Sequence, residues 1–139
     1  MRRIFIDTNV LLDVSLGREP HCQSSAAVLD LCELSEEVVG MSSTLALANF
    51  YYILSRSAGI ATARTAVSRV RELLEVCAVS DKELGQALVS PFADLEDGIQ
   101  YFTAVNHRAE FIVTRNAGDF RPSALPVMAP QEFLAFIQD

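Results

Sequence analysis

The sequence predicts an α/β fold, a central parallel sheet of about four to five strands flanked by helices, and three observations predict it. Ile4-Phe5-Ile6 and Phe111-Ile112-Val113-Thr114 are apolar runs without alternation, the pattern of strands buried on both faces of a parallel sheet. Segments with helical periodicity separate the strand-like runs, as crossover connections require. Finally, 139 residues at 50% hydrophobic content, with no compositional break, suit one domain spanning 1–139 with its own core.

The elements follow in order. After the first strand, a helix is expected from Asn9 to Leu16, stopping near Gly17, and a Pro20-containing loop leads to a second helix over Gln23–Ser35. Val38-Val39-Gly40-Met41 reads as a short buried strand ending in Ser42-Ser43-Thr44. The segment Thr44–Ser57 is apolar nearly all round apart from Asn49, which suits a helix buried on one side and covered by a partner on the other. Ala63, Ala66, Val67, Val70, Leu73, Leu74 and Cys77 recur at helical spacing, leaving Arg64, Ser68, Arg71, Glu72 and Glu75 on the solvent side. Val76–Val79 is a candidate strand, and Ser80-Asp81-Lys82-Glu83 has the spacing of a capping box opening a helix toward Val89. Ser90-Pro91-Phe92-Ala93 breaks the chain. A helix then starts at Asp94, with Leu95, Ile99, Phe102 and Val105 expected on its inner side. After the Phe111–Thr114 strand come a loop through Phe120, a short Pro126-Val127-Met128 strand and a last helix opened by Pro130.

Composition narrows the function. The first strand begins at residue 4, leaving no room for a signal peptide, and no apolar run approaches the ~20 residues of a membrane span. A soluble, cytoplasmic protein is expected. Cys22, Cys32 and Cys77 lack CxxC or Cys/His spacing and read as reduced core thiols. A net charge of −7 opposes general nucleic-acid binding, which relies on a basic face. A divalent ion in an acidic pocket would reverse the local sign. Ten of the eleven cations are arginines, the residue suited to bidentate phosphate contacts.

The chemistry-bearing residues lie at strand ends. Parallel strands place their carboxyl ends on one edge, so Asp7, the Asn116/Asp119 loop and the Asp94/Asp97 helix start can converge there. Grouped carboxylates stay ionised only around a cation, which points to a hard divalent ion and to phosphodiester hydrolysis. Each acid also has a plain structural role open to it. Asp7 and Asp94 suit helix N-caps, Asp97 a first helical turn, and Asp119 a turn beside Gly118. Asn116 is either a turn residue or a neutral ligand, and Thr114 bonds backbone or orients a carboxylate. Glu96, one position out of phase with Asp94 and Asp97, is expected to face solvent. His21 and His107 have no partner at ligand spacing. A haloacid-dehalogenase-type site would need an Asp where Asn9 stands, and a receiver domain would need a late lysine, whereas Lys82 is the only lysine.

Taken together, Ile4-Phe5-Ile6-Asp7-Thr8-Asn9-Val10-Leu11-Leu12-Asp13, Asp94-Leu95-Glu96-Asp97-Gly98-Ile99-Gln100 and Ile112-Val113-Thr114-Arg115-Asn116-Ala117-Gly118-Asp119-Phe120 resemble the first, third and fourth motifs of PIN-domain ribonucleases. The resemblance spans nearly the whole chain. It implies a VapC-like toxin that cuts RNA with Mg²⁺ or Mn²⁺ and is neutralised by an antitoxin. By it, Asp7 is the first metal ligand, Asp97 the third acid, Asn116 or Asp119 the fourth position, and Asp94 an accessory acid. Thr8, Asn9 and Thr114 would orient these ligands, and Arg115 would contact phosphate. Asn49 stands where the family usually has a second acid; its amide oxygen can still ligate or position a water. The apolar helix around Phe50, Tyr51 and Tyr52 would suit a homodimer or antitoxin contact. The competing expectation, motivated by Asn49 and the −7 charge, is a non-catalytic binding module on the same fold.

Overall fold

The computed structural model describes residues 1–138. Its five parallel strands are β1 (Arg2–Ile6), β2 (Val38–Ser43), β3 (Glu75–Cys77), β4 (Phe111–Val113) and β5 (Val127–Met128), ordered β3-β2-β1-β4-β5. Ile4 sits opposite Gly40 on one side and Phe111 on the other, so β1 is the central strand. Alternate residues of β1 feed separate cores. Ile4 and Ile6 join Val10, Leu47, Phe50 and Phe133 in one, whereas Phe5 joins Met41, Tyr101, Ile112 and Phe120 in the other. Burial on both faces is why the run lacks polar alternation.

Helices α1 (Thr8–Leu16) and α2 (Cys22–Leu34) link β1 to β2, and α3 (Thr44–Ala58) and α4 (Ile60–Leu73) link β2 to β3. The chain then crosses back through α5 (Asp81–Leu88) and α6 (Leu95–Asn106) to β4, and α7 (Pro130–Gln138) closes it. The strand order therefore reverses around β1 and β4. Ligands in open α/β sheets bind outside the carboxyl ends of the strands at such a reversal, and Asp7 N–H donates to the Val113 carbonyl at 3.0 Å there.

Local signals place most boundaries. Gly17, at φ 60°, ends α1 in the left-handed region that favours glycine. The capping box forms as its spacing predicts: Ser80 N–H donates to Glu83 Oε1 at 2.8 Å and Ser80 Oγ lies 2.6 Å from the same oxygen. The cysteines are free, and burial pushes the Cys32 and Cys77 thiols up to about 12 and about 11.

The helix and strand bounds near Cys77 and the inner face of α6 are corrected. The periodicity carried to Cys77 overruns α4, which stops at Leu73; Cys77 belongs to β3, and that strand spans Glu75–Cys77 rather than Val76–Val79. The inner face of α6 is Gly98, Tyr101 and Ala104, while Leu95 and Val105 are 44% and 38% exposed. Small residues carry the close contact: a Cβ on Gly98 would lie 3.1 Å from Ala87 Cβ, so α6 approaches α5 through a position with no side chain. The one-sided burial expected of α3 is found: it buries Leu47, Phe50 and Leu54 and leaves Tyr52 58% exposed, beside the cleft described next.

Candidate active site

Asp7 follows β1 and caps α1. Its Oδ1 accepts from Thr8 N–H at 2.8 Å, so the capping role is real. The second oxygen is engaged as well: Oδ2 accepts from Thr114 Oγ at 2.8 Å and from Asn9 Nδ2 at 3.2 Å. Thr114 Oγ in turn accepts from Asn116 N–H at 3.0 Å and from Asn9 Nδ2 at 3.3 Å. A residue from each of α1, the end of β4 and the following loop thus fixes one carboxylate. Burial raises the Asp7 pKa, and the Asp119 charge adds to it, against the hydrogen bonds from Thr114 and Thr8 and the Arg115 charge.

The cleft over this carboxylate has a volume of about 420 Å³. Its lining comes from Asp7 and, in α1, Thr8, Asn9 and Leu12; from Asn49, Tyr52 and Ile53 of α3; from Glu96 and Asp97 of α6; and from Asn116 and Asp119 after β4. Because α6 leads into the start of β4, its N-terminus lies at the carboxyl edge of the sheet. That reach brings Asp97 to Asp7 across 90 residues of sequence. Burial, and then the charges of Asp94, Asp7, Asp119 and Glu96, push the Asp97 carboxyl up to about 7.

The other candidates divide. Asp94 Oδ1 accepts from Asp97 N–H at 3.0 Å as the N-cap of α6; its side chain is a helix cap outside the cleft lining and acts on Asp97 through its charge. Arg115 is a correction, because its guanidinium turns inward. Nε and a terminal nitrogen meet Asp13 at 2.6 and 2.9 Å, and Ser25 Oγ lies 3.2 Å from the same carboxylate. Asp13 is completely buried, and a buried charge needs such a partner, so this arginine is committed to the core and is not a free phosphate contact. His107 ends α6 with Nδ1 2.9 Å from the Thr103 carbonyl.

Two residues escaped the sequence reading. Glu96 is exposed, as expected, but not idle: Asn49 Nδ2 donates to Glu96 Oε1, and the glutamate lines the cleft mouth. Its adjacency to Asp97 in the first turn of α6 is the signal that places it there. Asp13, quoted only as part of the opening motif, is the ion-pair partner of Arg115.

Among the described residues, no three His, Cys, Asp or Glu side chains close around a common point as a ready ion cage. The donor chemistry nevertheless fits a hard cation. Two carboxylates with raised pKa values and the amides of Asn49 and Asn116 share one cleft whose described lining includes no basic residue. A divalent ion there would relieve the repulsion that the protein itself leaves uncompensated.

Comparison with known proteins gives this geometry its setting. Residues 3–118 match the PIN domain family. The chain belongs to the PIN domain family. In fold, this PIN domain is similar to a chain of VapBC2 from Rickettsia felis, solved bound to a DNA fragment from its promoter. The TM-score is 0.70 at 18% identity, over 91% of this chain and 96% of the other. A chain of a toxin–antitoxin complex from Klebsiella pneumoniae aligns with TM-score 0.67 at 23% identity, over 91% and 97%. VapC20 of Mycobacterium tuberculosis, described as a toxin that cleaves the sarcin-ricin loop, aligns with TM-score 0.65 at 18% identity, over 78% and 86%. No curated protein sequence matches the chain significantly. No helix among the described residues is long and apolar enough to cross a membrane.

Proposed function

We propose that this PIN domain is a metal-dependent endoribonuclease and the toxin of a type II toxin–antitoxin pair. The observation that carries the reading is the cleft at the β1/β4 strand ends, where Asp7, held by three donors, faces Asp97 with no basic residue in the described lining. Asp7 and Asp97 would hold Mg²⁺ or Mn²⁺, with the Asn49 and Asn116 amide oxygens and Asp119 completing the set. When bound, such an ion supplies an activated water and stabilises charge developing on a phosphate. The protein's own part is orientation. Thr8, Asn9 and Thr114 fix the Asp7 carboxylate, and the Asp94 cap fixes the first turn that carries Asp97. RNA, single-stranded or structured, is the substrate proposed for this cleft.

The partner reading has separate support. An apolar groove of about 620 Å³ runs between α1, α2 and α4, lined by Leu11, Leu29, Ala66, Val70 and Leu73 with Asp30, Glu33 and Arg69 also in its lining. A groove of this kind suits an amphipathic helix, and similar folds come from toxin–antitoxin complexes. We assign it to the antitoxin. The exposed Tyr52 and Ile53 on α3 and the exposed Leu88 and Val89 at the end of α5 are the surface for a homodimer.

Asp7→Asn tests the activity. Asparagine retains an oxygen for Thr8 N–H, so the fold should persist while Mn²⁺-dependent cleavage of single-stranded RNA is lost. Cleavage that stays at the wild-type rate and remains sensitive to EDTA would overturn the assignment. A chain whose melting temperature does not respond to Mn²⁺ and that leaves RNA intact would instead be the binding module.

A further inference from the structure

Asn49 of α3 lines the same cleft as Asp7 and carries no charge. Its amide is not free. Asn49 Nδ2 donates to Glu96 Oε1, which arrives from the first turn of α6. This hydrogen bond joins two elements 47 residues apart in sequence and turns the glutamate over the same space that Asp7 and Asp97 line.

A glutamate in the first turn of a helix would ordinarily extend into water and favour the helix dipole from there. Glu96 is instead drawn over a cleft where its neighbours are acids, and among the described residues no arginine, lysine or histidine forms an ion pair with it. That placement is unfavourable in the bare protein, and a donor is dedicated to maintaining it. A carboxylate at position 49 would repel Glu96, whereas the amide fixes it. The two positions therefore hold one acid and one donor between them.

We propose that Glu96 is a further ligand-bearing residue of the cleft, supplying from α6 the negative charge that α3 lacks, with Asn49 as its positioning residue. This rests on the reading of the cleft as a divalent-cation site. It extends that reading by naming which carboxylate completes the set around Asp7 and Asp97.

The test uses the full chain in three forms, Glu96→Gln, Asn49→Glu/Glu96→Gln and wild type, with Mn²⁺ as the probe. Binding is followed without RNA by the paramagnetic resonance of free Mn²⁺ and by the melting temperature as Mn²⁺ is added, and cleavage of a single-stranded RNA is measured separately. Glu96 is exposed at the cleft mouth, so the glutamine variant should fold. It should bind Mn²⁺ roughly tenfold or more weakly, within the range found when a group supporting a metal site is removed. The double variant returns one acid to the cleft from α3 and should recover most of the affinity. Wild-type affinity in Glu96→Gln overturns the proposal, as does a folded double variant that binds no better than the single one. A wild-type chain that binds Mn²⁺ but cuts no RNA defeats the nuclease reading alone, because the affinities still judge Glu96. A wild-type chain that binds no Mn²⁺ defeats both.

Discussion

Glu83 and Asp97 occupy the same place in their helices, the third residue after the N-cap in α5 and in α6, yet they titrate in opposite directions. Glu83 receives Ser80 N–H, the Ser80 hydroxyl and the Asn106 amide, and these hydrogen bonds hold its carboxyl down to about 2. Asp97 is pushed up to about 7 by burial and by four other acids. Helix position alone favours an ionised carboxylate in both. The difference lies in what surrounds the first turn: α5 meets donors from its own Ser80 cap and from Asn106 of α6, and α6 meets the carboxylates at the strand ends. One acid serves the fold, and the other is kept at a cost that a bound cation would offset.

The largest effects break the Asp97 side of this contrast. Asp97→Asn should lower Mn²⁺-dependent RNA cleavage by more than roughly 100-fold, beyond what losing a partner of a metal ligand typically costs, as read from initial rates at saturating Mn²⁺. Next comes the Glu83 side. Glu83→Ala leaves the Asn106 amide and the Ser80 donors without their acceptor, which should lower stability by about 1–3 kcal/mol, measured by urea unfolding, with cleavage per folded molecule unchanged.

The pH dependence sharpens the same comparison. Glu83, depressed below its ordinary 4.5, contributes stability that is complete above pH 4.5 and is lost as pH falls toward 2; Glu83→Gln should flatten that acid limb. Asp97, raised from 3.8 to about 7, acts oppositely. The folded state holds its proton more tightly than the unfolded chain, so stability falls as pH rises from 3.8 to about 7 and the cost is complete above that range. Metal-free Asp97→Asn should therefore melt a few degrees above wild type at pH 8, and the gap should close toward pH 4, as calorimetry would record. The smallest effect is in the wild type alone: at pH 8, millimolar Mn²⁺ should raise its melting temperature by mass action, and the same addition should do nothing to Asp97→Asn.

Much of this was legible in the sequence. The unbroken apolar runs at Ile4 and Phe111 gave the central strands, Gly17 and Ser80-x-x-Glu83 gave helix ends, and Asp7, Asp97, Asn116 and Asp119 do line one cleft. What failed has a common physical origin. The inner face of α6 is carried by Gly98 and Ala104, which hydrophobic periodicity undervalues because it weighs large side chains. Arg115, expected to contact phosphate, pairs instead with buried Asp13, 102 residues earlier in the chain. Glu96 is exposed as its helical phase predicts, yet its bond to Asn49 joins positions 47 residues apart. Pairing between distant residues decides such cases, and single-sequence patterns describe only near neighbours.

The inward turn of Arg115 has a consequence for how RNA would be held. With that guanidinium spent on Asp13 and no basic side chain in the described lining of the cleft, few counterions would be displaced from the scissile region by the protein itself. Binding there should show a shallow dependence on monovalent salt and a steep one on divalent ion, so that the supply of Mg²⁺ or Mn²⁺, rather than ionic strength, governs how long a strand stays in the cleft.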